Sequence, residues 1–231
     1  MIDVSLWDTL LRTYVNDRGQ VDYQRWKAEA TEVLDTWLAS LAPLYLENLS
    51  QAEALALLLN LYNALTIQQV LRQYPIASIR PKILGVSNWL AFLRFFTKSV
   101  YQVNEKSVSL NGIEHGILRK QFVEPRIHFA LVCASIGCPL LRPQAYRLET
   151  VYDKLEEDAQ RFIQNPNKVH YDATSNVLYC SRIFKWYGKD FLKVAPSVPA
   201  YIGNYLAPNT PLDKSASIQY LPYDWSLNQT H

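Results

Sequence analysis

The sequence predicts an α+β fold, a helical N-terminal half packed on a small, mostly antiparallel sheet. Two patterns carry that prediction. Apolar residues recur at three-to-four spacing over much of the first 96 residues, and alternation of apolar and polar side chains begins at Val100. No repeat, long linker or abrupt change of composition divides the chain. With 231 residues, 49% of them hydrophobic, one sizeable core is affordable, and residues 1–231 are expected to form a single domain.

Val4 to Val15 places Leu6, Trp7, Leu10, Leu11 and Tyr14 on one helical face, and Asn16-Asp17-Arg18-Gly19 is a turn signal that ends it. A second helix is expected from Tyr23 to Ala42, stopped by Pro43. Ser50 and Glu53 form a capping box ahead of a long helix, Gln51 to about Gln73, that is apolar nearly all round and belongs in the middle of the fold. Trp89, Phe92, Phe95 and Phe96 form a further helical cluster. Val100–Val103 and Ser107–Leu110, joined by Asn104-Glu105-Lys106, read as a hairpin. A helix starts near Asn111, and the apolar run Arg126–Cys133 suits a buried strand. Helix Val151–Gln164, a hairpin of Lys168–Tyr171 with Asn176–Cys180, a short helical segment Arg182–Phe191 and a strand Ser217–Leu221 complete the chain.

The charge balance, 23 basic against 21 acidic side chains without runs of like sign, argues against a nucleic-acid or membrane-surface partner. The apolar stretch Ala54–Ile67 is interrupted by Asn60 and Asn63, so no membrane insertion is expected. The first eleven residues lack a basic leader and cleavage site, which points to a cytoplasmic setting. Seven glycines form no phosphate-binding loop, and no cofactor is expected. Fifteen Tyr, six Trp and eight Phe predict a bulky interior with many hydroxyl and indole donors to satisfy.

Three cysteines are too few for a disulfide scaffold, so a reduced state is the starting expectation. His115, His128, Cys133 and Cys138 fall within 24 residues. A thiolate is a strong nucleophile and an imidazole beside it acts as base, so this density supports acyl transfer or hydrolysis through a thioester. Either Cys133 or Cys138 fits the nucleophile. Other readings of the same residues are buried hydrophobes, a structural Cys2His2 zinc site with unfamiliar spacing, and a Cys133–Cys138 disulfide that would suggest redox work. Cys180, with no histidine nearby in sequence beyond its own hairpin, reads as core. Glu114 suits a capping box with Asn111 and is also placed to orient His115. Asn60 and Asn63, three residues apart on an apolar helix, either clamp loop backbone or donate to an oxyanion. Arg119 and Arg126 fit either an anion or ordinary ion pairs.

The phrases LNLYNALTI (59–67), SLNGIEHGILR (109–119), PRIHFALVCASIGCPLL (125–141), SRIFKWYGKDF (181–191) and YLPYDWSLN (220–228) resemble the domain-of-unknown-function 547 family over nearly the whole chain. Positions that match the family's pattern are Asn60, Tyr62, Asn63, Glu114, His115, His128, Cys133, Cys138 and Pro139. Many plant members replace the second cysteine, which favours Cys133 as nucleophile. The resemblance also implies a likeness, by analogy, to papain-like or transglutaminase-like hydrolases permuted so that the histidine precedes the cysteine.

The expected function is therefore a cysteine-dependent hydrolase or acyl transferase acting on an amide, ester or thioester of a small molecule or peptide. Cys133 is its nucleophile, His115 its base and Glu114 the orienting group, with Asn60, Asn63, His128 and Cys138 around the substrate or oxyanion and no metal. The alternative is a non-catalytic module that binds a protein or glycan through Trp186, Tyr187, Tyr223 and Trp225.

Overall fold

The computed structural model describes residues 2–83, 86–103, 106–206, 212–213 and 215–230, and has an α+β architecture. Helices α1 (Ser5–Tyr14), α2 (Tyr23–Glu29) and α3 (Thr31–Leu41) pack around α4 (Gln51–Gln73). Their meeting point is aromatic. The Trp7 ring lies 5.4 Å from Trp37 and 6.0 Å from Trp26, and Tyr14 stacks on Trp26 at 5.0 Å.

One expected helix over residues 23–42 is two. Ala30 leaves the helical region (φ −145°), and the Thr31 hydroxyl donates to the Lys27 carbonyl, competing for the acceptor that helix continuation would use. Helix α4 has the expected bounds. The Ser50 hydroxyl accepts from Glu53 N–H, and every residue from Ala54 to Leu71 is buried. Its length and apolarity would also let it cross a membrane, yet protein surrounds it on all sides here.

After α4 come the short strands β1 (Lys82–Ile83) and β2 (Val86–Ser87), helix α5 (Trp89–Thr97) capped by Asn88, and the hairpin β3 (Tyr101–Val103) with β4 (Lys106–Val108). Asn104 and Glu105 of its expected turn lie outside the described residues. Residues Gly112–Leu118 form a π-helical segment that runs into α6 (Arg119–Gln121). The cap there is Ser109, whose hydroxyl accepts from Gly112 N–H, not Asn111.

The expected strand over residues 126–133 is absent, and the reasons are local. Pro125 and the Glu124 side chain, which accepts from Arg126 N–H, start a 3-10 turn over Pro125–Phe129. Beyond it the Asn63 amide occupies the Ala130 carbonyl (3.0 Å) and the Val132 N–H (2.9 Å), two groups that a strand would offer to a neighbour.

Helix α7 (Val151–Ile163) joins the two halves of the interior. Val151 and Leu155 belong to the helical core, whereas Ala159, Phe162 and Ile163 pack in a second cluster with Phe129, Phe184 and Phe191. That second cluster covers a three-stranded sheet in which β5 (Val169–Asp172) pairs antiparallel with β6 (Val177–Cys180), and β6 pairs parallel with β7 (Ser217–Tyr220). Between β6 and β7 run α8 (Ile183–Trp186), α9 (Gly188–Phe191) and α10 (Val198–Gly203).

Candidate functional site

The C-terminal segment closes the site by crossing the loop that carries both nucleophile candidates. Ile136 N–H donates to the Ser226 carbonyl, Gly137 N–H to Asp224, and Asn228 N–H to Ala134. The Lys168 ammonium holds the other side, donating to the carbonyls of Ile136 (2.7 Å), Gly137 (2.9 Å) and Cys138 (3.1 Å). Burial pushes that ammonium down to about 8. So many partners fix Ala134 in the left-handed region (φ 61°), which costs a non-glycine residue of order 1–3 kcal/mol. Gly137 is required for space. A Cβ there would sit 2.7 Å from the Tyr223 ring and 2.8 Å from the Asp224 carbonyl oxygen.

Within this loop Cys133 and Cys138 are joined by a disulfide, with Cα atoms 6.2 Å apart. The tight turn, closed by Cys138 N–H donating to the Ser135 carbonyl, brings the sulfurs together, so the expectation of free thiols at both positions does not hold in this structure. The sulfurs differ in their surroundings. Cys133 is partly exposed, while Cys138 is 3% exposed and accepts the Cys133 N–H at 3.0 Å. The Tyr223 hydroxyl lies 3.1 Å from Cys138 Sγ and 3.4 Å from Cys133 Sγ. Ser135 Oγ is 3.2 Å from Cys133 Sγ and 3.5 Å from Cys138 Sγ.

Both cysteines line a cavity of about 320 Å³ whose walls also include Glu114, His115 and His128. The rest is largely aromatic: Tyr62, Trp89, Phe92, Phe96, Trp186, Tyr187, Tyr223 and Trp225. The π-helical segment matters here, because its wider turn sets both Glu114 and His115, adjacent in sequence, on the cavity wall.

The two histidines have different hydrogen-bonding states. His128 is buried, its ring stacked on Tyr187 at 3.8 Å, with Nε2 2.9 Å from Asp190 Oδ2. Burial of Asp190 is outweighed by bonds from His128, Arg119 and Lys193, which hold its carboxyl well below the usual range. An ionised carboxylate only accepts, so Nε2 carries the proton and Nδ1 presents a lone pair. Among the described residues no side chain or backbone group pairs with that Nδ1, which is itself buried. Burial, partly offset by Asp190 and Glu114, lowers the His128 pKa and keeps the ring neutral near pH 7.

His115 is half-exposed, and its Nδ1 lies 2.6 Å from Arg119 Nη1. A guanidinium only donates, so Nδ1 is the acceptor and the proton of the neutral ring sits on Nε2, 4.0 Å from Glu114 Oε1. In this arrangement His115 has no free lone pair for a substrate proton. Glu114 is buried against the Tyr62 and Tyr187 hydroxyls, and after burial itself its carboxylate is the largest influence raising both phenols.

Of the other residues singled out in sequence, Asn60 accepts from the Trp7 indole (3.2 Å) and Tyr146 N–H (2.9 Å) and donates to the Tyr146 carbonyl (2.8 Å). It faces away from the cavity, and Asn63 grips the backbone just before Cys133, so both amides are spent on loop backbone. Arg126 is paired with Glu124 and Glu156, and Arg119 with Asp190. Cys180 is fully buried in the second cluster, and burial pushes its thiol up to about 12. The disulfide removes both sulfurs from the zinc set considered above. Among the described residues no three His, Cys, Asp or Glu side chains are grouped as metal ligands.

Sequence reasoning missed Asp190. It lies in the segment 181–191 quoted for its family likeness, but 62 residues from His128, and the aromatic character of its neighbours hid a carboxylate at the ring.

A search of curated proteins and a search of solved structures found no match to the chain, and the papain-like relation is not shown. The family model described as "Protein of unknown function, DUF547" matches residues 46–163, which include α4, the π-helical segment, His128 and both cavity cysteines, while the segments 181–191 and 220–228 lie beyond the match. The chain belongs to the DUF547 family.

Proposed function

We propose that the reduced protein is a cysteine-dependent hydrolase or acyl transferase acting on an amide, ester or thioester of a small molecule or peptide. Cys133 is the nucleophile, His128 the base and Asp190 the group that orients it. The observation that carries this reading is the His128 ring: Nε2 is tied to Asp190 while Nδ1, unpartnered, belongs to a side chain on the same cavity wall as Cys133. Nucleophile, base and orienting carboxylate are the set that such chemistry needs.

In the first half-reaction the Cys133 proton passes to His128 Nδ1, Sγ bonds to the acyl carbon, and the leaving group departs with that proton. Water or a second acceptor then attacks the thioester, giving its proton to Nδ1 and returning the thiol. Relative to the sequence expectation the base moves from His115 to His128, because Arg119 occupies the His115 lone pair. His115 and Glu114 become wall groups able to donate and accept toward substrate. The reading carries with it a reducing, cytoplasmic setting in which the thiol form is populated.

A second reading keeps the cavity and drops the chemistry. Trp186, Tyr223 and Trp225 cluster with centroids 4.5–5.9 Å apart at that cavity, a surface suited to holding a protein or glycan without turning it over.

Incubation of the reduced protein with small activated esters, thioesters and amides, followed by intact mass and peptide mapping, separates the two. One acyl group on Cys133, lost in Cys133→Ser and formed more slowly in His128→Ala, is the expected result. Absence of any adduct from all three classes contradicts the enzyme reading.

A further inference from the structure

We propose that Cys133 and Cys138 form a thiol–disulfide exchange couple, in which an external thiol of the glutathione or dithiol class attacks Cys133 Sγ and Cys138 departs as the thiolate. This goes beyond the acyl-transfer reading and does not depend on it, since it needs only the two sulfurs and the groups around them.

The direction of attack follows from access. Both cysteines line the cavity, but Cys133 is the partly exposed residue of the two and Cys138 is only 3% exposed. An incoming thiolate needs an open line to the sulfur it attacks, and the better leaving sulfur is the one whose thiolate is better stabilised. Among the described residues Cys138, and not Cys133, accepts a backbone N–H, that of Cys133 itself, and the Tyr223 hydroxyl is nearer to it than to Cys133. Burial pushes the Tyr223 phenol up, so it remains a proton donor at neutral pH. Ser135 adds a hydroxyl within reach of either sulfur. Hydrogen bonds to the charged form lower a thiol pKa, and the loop is already clamped by Lys168 in the geometry that supplies them.

In reduction, RS⁻ bonds to Cys133 Sγ, the Cys133–Cys138 bond breaks, and its electron pair leaves on Cys138. A second RS⁻ attacks the R-bearing sulfur of the mixed disulfide, RSSR departs, and the Cys133 thiolate takes up a proton. The reverse sequence, with RSSR as oxidant, closes the bond again. Oxidation thereby withdraws the Cys133 nucleophile, and reduction restores it.

The wild-type chain provides the test. After oxidation with glutathione disulfide, the denatured, unreduced chain should titrate as one thiol, Cys180, and the fully reduced chain as three. Partial reduction of the oxidised protein by glutathione, acid quench and alkylation should place glutathione on Cys133 and the alkyl group on Cys138. Tyr223→Phe, checked for folding by circular dichroism, should slow that reduction by about threefold, because the departing thiolate loses a donor. Three free thiols after oxidation, or glutathione found mainly on Cys138, would overturn the proposal. Neither readout uses an acyl substrate, so failure here and failure of the acyl-transfer reading are separate results.

Discussion

Asp190 accepts the Nε2–H of His128 across 2.9 Å and 62 residues of chain, and leaves the buried Nδ1 of a neutral imidazole without a partner among the described residues. Arg119 and Lys193 share the same carboxylate, so the ring is oriented by a group that is itself held from three directions. That relationship is the basis on which His128 rather than His115 is proposed as the base.

Replacing the carboxylate tests the orientation. Asp190→Asn keeps the shape but can accept or donate at the ring, so the Nε2–H tautomer is no longer enforced. Acylation of Cys133 should fall by roughly a hundredfold or more, the usual scale of a general-base contribution, while His115→Ala should cost much less. Single-turnover kinetics with an activated ester measure both.

The pH dependence has a defined sign. The folded His128 pKa lies below its ordinary 6.5, so the unfolded chain binds the proton more readily and stability falls as pH drops from about 6.5 toward the lowered folded value. Asp190 is depressed from 3.8, so its contribution is present above that pH and is lost as pH falls further. Urea midpoints measured from pH 8 to 3 should therefore decline in two stages, and His128→Ala should remove the first.

The asparagines are predicted to act through stability. Asn63→Ala strips partners from the buried Ala130 carbonyl and Val132 N–H, and Asn60→Ala does the same to Tyr146 and the Trp7 indole. Unsatisfied buried groups cost about 1–3 kcal/mol each, so Asn63→Ala, with two such groups, should lower unfolding free energy by about 2–6 kcal/mol, and Asn60→Ala, with three, by at least as much. Urea titration reads this directly.

Gly137→Ala should damage the loop and the cavity together. The new methyl would meet the Tyr223 ring and the Asp224 carbonyl, and the ring can yield where the backbone cannot. A loss of about 1–3 kcal/mol is expected from such overpacking, along with altered Tyr223 fluorescence as the phenol leaves the sulfurs.

How much of this was legible in the sequence depended on the range of the interactions. Local signals read well. Ser50 and Glu53 announced α4, Asn16 to Gly19 announced a turn, and the alternation after Lys168 announced β5 and β6. Where a distant partner decides, the reading fell short. The run at 126–133 has strand composition, but Asn63 takes its backbone groups, and nothing within the run announces that. The segment containing Glu114 and His115 reads as helical from its sequence, yet nothing local distinguishes its π geometry from an ordinary helix or Ser109 from Asn111 as its cap. The His and Cys residues between 115 and 138 line one cavity, and the Cys133–Cys138 disulfide is among the pairings their spacing allows, whereas the Asp190 contact depends on α9 folding against His128.

The central claim is that His128 activates Cys133. It is tested most directly by the rate at which a thiol-directed alkylating probe labels Cys133 in the fully reduced protein, followed across pH for wild type, His128→Ala and His115→Ala. The account predicts a labelling shoulder below pH 7 in wild type that persists in His115→Ala and vanishes in His128→Ala. Equal rates in all three proteins at every pH, with no shoulder, would contradict it.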